Sequence, residues 1–100
     1  VQVGPYTVHL EKHLVYCGSE SISLTVKEYD LLLYLAANRG HVLKRGDILD
    51  AVWGYTFYGS DRVVDDTIRR LRKKLPGIEI STLYGLGYCL TEERHESLCD

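Results

Sequence analysis

Between Asp61 and Leu75 the apolar residues Val64, Ile68, Leu71 and Leu75 recur at three- and four-residue spacing. At 100° per residue they form one narrow stripe, while Arg62, Asp66, Arg69, Arg70 and Lys73 fall roughly opposite. The pattern predicts a helix with one face in the core and a largely cationic face outside, stopped by Pro76-Gly77. Upstream, Tyr29, Leu32, Leu33 and Ala36, flanked by Leu31 and Leu35, predict a helix buried on most sides. Thr25-Val26-Lys27-Glu28 has the spacing of a capping box at its start, and Gly40 can take a left-handed conformation at its end. A shorter helix is implied by Ile48, Leu49, Val52 and Trp53, with Gly54 after it. Its start is poorly marked, because Lys44 stands where a capping Ser or Thr is expected and Gly46 costs about 1 kcal/mol relative to Ala.

Around the helices the period falls to two. Tyr6–Leu10, Leu14–Tyr16 and Ser21–Leu24 predict an antiparallel meander, with Val1–Val3 as a further edge strand. Ile78–Leu83 and Tyr88–Leu90 predict two strands joined by a hairpin tip, Tyr84-Gly85-Leu86-Gly87. The order is a small sheet, three helices and a terminal hairpin. A helix-turn-helix with a β wing satisfies it; a three-helix domain with an incidental hairpin has the same elements but leaves the cationic stripe without a reason.

One hundred residues, 45% hydrophobic and 26% charged, suit one α+β domain. No apolar run approaches the roughly 18–20 residues of a membrane span, and the first residues do not read as a signal peptide. Cys17, Cys89 and Cys99 are odd in number and scattered, which predicts neither a disulfide framework nor a zinc site and suits a reducing cytoplasm. His9, Glu11 and His13 are too few for a metal site and read as solvated strand or turn residues. No nucleophile, base and orienting group recur in an enzyme-like arrangement, and no cofactor is implied. The net charge of −2 hides a segregation. Residues 62–75 carry six cations against two acids, a net of +4, whereas the tail 92–100 carries a net of −3. An anionic partner meets the local field.

The segments LTVKEYDLLLYLAANRG (Leu24–Gly40), DILDAVWG (Asp47–Gly54), SDRVVDDTIRRLRKKL (Ser60–Leu75) and STLYGLGYCL (Ser81–Leu90) together resemble the C-terminal DNA-binding domain of OmpR/PhoB-type bacterial two-component response regulators. The resemblance implies a winged helix-turn-helix over residues 1–91: an N-terminal four-stranded sheet (1–24), three helices (25–75) and a wing hairpin (78–90), followed by the acidic tail. It implies a third helix in the major groove of double-stranded DNA and a wing at the minor groove. Positions that match base contacts are Val63, Asp66, Thr67 and Arg70, with Arg70 the leading reader because a guanidinium can bond guanine bidentately. Phosphate contacts are expected of Arg62, Arg69, Arg72 and Lys73, of the Trp53 indole, and of Thr82 at the base of the wing. Lys74 is a weaker candidate.

Three further expectations follow. The loop bearing Tyr55, Phe57 and Tyr58 matches a segment that touches RNA polymerase. A receiver domain is expected before Val1, with dimers on direct-repeat half-sites. Tyr84, beside Gly85 and Gly87, departs from the family pattern, which often has an arginine there to enter a narrow minor groove. The competing reading of the cations is a solvated face with Asp65–Arg69 and Asp66–Arg70 pairs, each worth about 0.2–0.5 kcal/mol. A protein-binding winged helix, using the aromatic loop and masking the basic helix with its tail, is the alternative function.

Overall fold

The structure, a computed structural model, describes residues 1–91, so the acidic tail lies outside the described residues. Strands β1 (Gln2–Val3), β2 (Tyr6–His9), β3 (Leu14–Cys17) and β4 (Glu20–Ile22) form the expected four-stranded antiparallel meander in sequence order. In β2 burial alternates, with Tyr6 and Val8 inside and Thr7 and His9 outside, as a sheet with one wet face requires. Tyr6 also reaches across the core, where its hydroxyl accepts the Gly77 N–H at 2.8 Å. His13, between β2 and β3, stacks on Tyr29 with ring centroids 4.9 Å apart. Cys89 is a buried free thiol.

Helix α1 (Val26–Ala37) begins with both halves of the capping box: Glu28 N–H donates to Thr25 Oγ1 at 3.2 Å and Thr25 N–H to Glu28 Oε1 at 2.9 Å. Leu31, Leu32 and Leu35 are fully buried, each contributing roughly 1.5–3 kcal/mol of gross burial energy. The helix ends at Asn38, and Gly40, at φ 79°, turns the chain so that its N–H bonds the Leu90 carbonyl.

A strand absent from the sequence reading follows. Strand β5 (Leu43–Lys44) pairs with β7 (Gly87–Leu90), which also pairs with β6 (Ile80–Leu83), so the wing is a three-stranded sheet of order β5-β7-β6. Gly87 permits the approach: a Cβ there would lie 1.9 Å from the Leu43 carbonyl oxygen. Helix α2 starts at Arg45–Ile48 and widens into a π-helical turn over Leu49–Trp53, ending at Gly54 with φ 96°. Helix α3 (Arg62–Lys74) lays Val64, Ile68 and Leu71 into the core, followed there by Leu75, all at most 1% exposed.

Candidate nucleic-acid interface

The outer face of α3 carries Arg62, Asp66, Arg69, Arg70 and Lys73, all exposed. Neither expected i,i+4 pair forms. Asp66 instead approaches Arg69 one turn along at 3.7 Å, a long contact between exposed groups, and Asp65 turns away from Arg69 altogether. Thr67 departs from its expected place on the reading face. It is buried, and its hydroxyl donates to the Val63 carbonyl at 2.7 Å, so its hydrogen-bonding capacity serves the helix itself.

Lys74 is also withdrawn from that face. Its Nζ lies 2.7 Å from Glu28 Oε1, and Glu28 is only 1% exposed. Burial acts to raise the Glu28 pKa, but the ammonium and the two bonds with Thr25 outweigh it and hold the carboxyl below its ordinary value. The other oxygen, Oε2, is buried without a hydrogen-bond partner, so the ion pair neutralises an otherwise costly charge.

Arg45 braces the start of α3 from another element. At the start of α2, it bonds Asp65 through Nε at 3.2 Å and Nη2 at 2.7 Å, and Asp61 through Nη2 at 3.1 Å. Tyr88 of β7 donates its hydroxyl to Asp65 Oδ1 at 2.6 Å. Burial and this bond to a carboxylate push the Tyr88 pKa up to about 12. One carboxylate on α3 thereby holds both α2 and the wing. Asp61 and Asp65, four residues apart and off the cationic stripe, are the one local sign of this site; their arginine comes from another element and shows no such sign.

Arg72 is likewise engaged within the fold. Its Nη2 donates to the Ile80 carbonyl at 2.6 Å and to Thr82 Oγ1 at 2.8 Å, and its guanidinium lies 5.9 Å from the Tyr88 ring centroid. Two expected phosphate contacts, Arg72 and Thr82, thus hold each other, one on α3 and one on β6. Beyond Thr82 the wing tip closes with Leu86 N–H on the Leu83 carbonyl at 2.8 Å, and Gly85 supplies the positive φ of 81° that this turn requires. Tyr84 projects from it, 93% exposed.

The loop between α2 and α3 presents Tyr55 and Tyr58, 87% and 97% exposed. Phe57 turns inward, its ring 6.4 Å from that of the half-buried Trp53. Trp53 then meets α3 across a hollow of about 250 Å³. One wall is the row Val63, Asp66, Thr67 and Arg70; the other is Trp53 with Thr25 and Lys27 from the start of α1. The four expected base readers therefore do share one side of the helix, with Thr67 at its buried edge.

Residues 18–90 match the family described as "Transcriptional regulatory protein, C terminal". The chain belongs to this family. The fold and motifs are those of the winged-helix DNA-binding effector domains of OmpR/PhoB-type response regulators, a regulatory rather than an enzyme family. Among similar members, the transcriptional regulatory protein CssR of Bacillus subtilis (strain 168) is 46% identical over 89 residues, covering 88% of this chain and 40% of CssR. VxrB of Vibrio cholerae serotype O1 is 53% identical over 74 residues, covering 74% of this chain and 30% of VxrB. The chain thus spans less than half the length of these relatives. The crystal structure of the CssR DNA-binding domain superposes with a TM-score of 0.81, covering 85% of this chain and 98% of that one. The Klebsiella pneumoniae RstA DNA-binding domain, solved in complex with the RstA box, gives 0.79 at 32% identity, covering 91% of this chain and 95% of that one. No helix among the described residues is long and apolar enough to cross a membrane.

Proposed function

We propose that α3 enters the major groove of double-stranded DNA, with Arg70, Asp66 and Val63 toward the base edges and Arg62, Arg69 and Lys73 on the flanking phosphates. The observation that carries this reading is the division of charge around α3. The acids at its start, Asp61 and Asp65, both pair with Arg45, while Arg62, Arg69, Arg70 and Lys73 remain at the surface. Asp66 breaks the positive face; there it can accept from cytosine N4 and penalise other bases by leaving a carboxylate unpaired. Thr67 supports the helix, and the Trp53 indole lies at the phosphate-flanking end of α2.

The wing approaches the minor groove through Tyr84, Gly85 and Gly87. Without an arginine at the tip, its contribution is contact with sugar and one phenolic hydrogen bond more than charge. In the full-length protein, a receiver domain before Val1 controls dimers on direct-repeat half-sites in the bacterial cytoplasm, and exposed Tyr55 and Tyr58 support contact with RNA polymerase.

The test is binding of fluorescent duplexes, selected from random sequence, across a salt series. Three to four exposed cations on phosphate predict a slope of log K against log salt near −3, at about −0.9 per contact. A domain that binds no duplex even at low salt refutes the reading and leaves the protein-interaction alternative.

A further inference from the structure

The hollow between Trp53 and α3 is lined from its far side by Lys27, a residue of α1 outside the helix-turn-helix. The Lys27 side chain is exposed, yet its ammonium is fixed: Nζ donates to the Val52 carbonyl at 2.9 Å, at the end of α2 beside Trp53. One of three ammonium protons can be used in that bond, leaving two donors. Across the hollow stands Arg70, and the intervening carboxylate of Asp66 has Arg69 within 3.7 Å on its outer side. Lys27, Arg70 and Asp66 together leave the hollow a net positive charge, and the Thr25 hydroxyl and Trp53 add polar groups to its rim. Arg70, one of the exposed cations of α3, belongs both to the hollow and to the outer face of the helix.

We infer that Lys27 is an additional phosphate anchor, and that the hollow beside Trp53 holds one backbone phosphodiester of the bound duplex, clamped between α1 and the recognition helix. The inference rests on the proposed DNA-binding face and extends it to an element that the helix-turn-helix motif does not include. Lys27 needs little ordering to act, because Val52 already holds it, so the anchor is pre-organised. A phosphate contact carries no base information, hence Lys27 sets register and affinity and leaves sequence preference alone.

The experiment compares wild type with Lys27→Gln on duplexes that carry a neutral methylphosphonate at one linkage at a time, over a salt series, with circular dichroism melts of both proteins. Wild type is expected to lose affinity at one linkage next to the Trp53 contact. Lys27→Gln is expected to bind every duplex that keeps that linkage charged more weakly by a similar factor, to match wild type on the duplex neutralised there, and to flatten the salt slope by about 0.9. Lys27→Arg, which keeps a charge there, should retain most of the slope. An unchanged slope with unchanged methylphosphonate sensitivity overturns the assignment while the DNA-binding reading stands. A loss of affinity with the slope intact assigns Lys27 to support of α2 alone and also overturns it. Absence of wild-type binding to any duplex overturns both. Inorganic phosphate tested without DNA separates a free-anion site from a duplex anchor: quenching of Trp53 by millimolar phosphate in wild type but not in Lys27→Gln counts against the duplex assignment.

Discussion

Replacing Lys74 by methionine keeps its aliphatic packing and removes the only cation bonded to Glu28 among the described residues. Breaking one side of a buried ion pair costs about 3–5 kcal/mol, because the remaining charge stays buried. Two features reduce this here: Lys74 is 36% exposed on its own side, and the Glu28 carboxylate still accepts from the Thr25 N–H. A loss of about 2 kcal/mol at pH 7 follows, a melting shift of roughly 10 °C for a domain of this size. The loss must also depend on pH. In the wild-type fold, burial that raises the Glu28 pKa is outweighed by Lys74 and Thr25, so the carboxyl sits below 4.5. Its stabilising contribution is therefore present above pH 4.5 and is lost as pH falls through the folded value. Without Lys74 the burial effect is less opposed, the folded pKa rises relative to wild type, and the difference between the two proteins closes once Glu28 is protonated in both. Urea melts of wild type and Lys74→Met at pH 7 and near pH 3.5 read this directly. An equal difference at both pH values, or a difference below about 0.5 kcal/mol at pH 7, refutes the reasoning.

Tyr88→Phe should cost about 1 kcal/mol in urea melts at pH 7, less than the 1.5–3 of a fully buried bond to a charged group, because Asp65 is partly solvated. Since the Tyr88 pKa is raised, the stabilisation by its protonated form is complete below the ordinary value of 10 and is lost as pH climbs through about 12; the variant should lack a phenol that titrates near 12 in an alkaline absorbance titration. Gly87→Ala should cost about 3 kcal/mol in the same melts, because its Cβ meets backbone at Leu43 that cannot move aside without breaking β5–β7 pairing. Arg72→Met should weaken duplex binding with the salt slope nearly intact, whereas Arg69→Met should flatten it by about 0.9; the reverse order would return Arg72 to the phosphates.

What could be read from residue order was what depends on near neighbours. Thr25 and Glu28 meet across one helical turn, and Val64, Ile68, Leu71 and Leu75 are brought together by the helix alone, so the cap and the core stripe follow from spacing. Pairings between distant segments were not legible. Arg45 finds Asp65 from another helix, Lys74 finds Glu28 across the core, and Leu43–Lys44 becomes a strand only because β7 lies beside it. Two residues are too short to carry a period. The place of the Thr67 hydroxyl is hidden for a finer reason: the residue sits at the border of the exposed arc, where a 100° projection cannot tell an accessible hydroxyl from one folded back on its own helix. The family resemblance names positions that match a DNA-contacting site, but Arg72 and Thr82 show that a matching position can have its bonds taken by a neighbour.

The two sheets place different demands on a chain that is still folding. In the N-terminal meander, pairings run from Gln2↔Thr7 to Cys17↔Glu20, each between segments a few residues apart, so it can zip up from local hairpins. Leu43↔Tyr88 joins residues separated by both later helices, and that loop must be closed before the contact repays its entropy. During synthesis, β5 emerges long before β7 and waits for it with an open edge. The wing, and with it the Tyr88–Asp65 tether on α3, is completed only when nearly all of the described chain has been made. The wing side of the surface proposed to read DNA is thus the last part of the described chain to assemble, on a scaffold whose N-terminal sheet can form first.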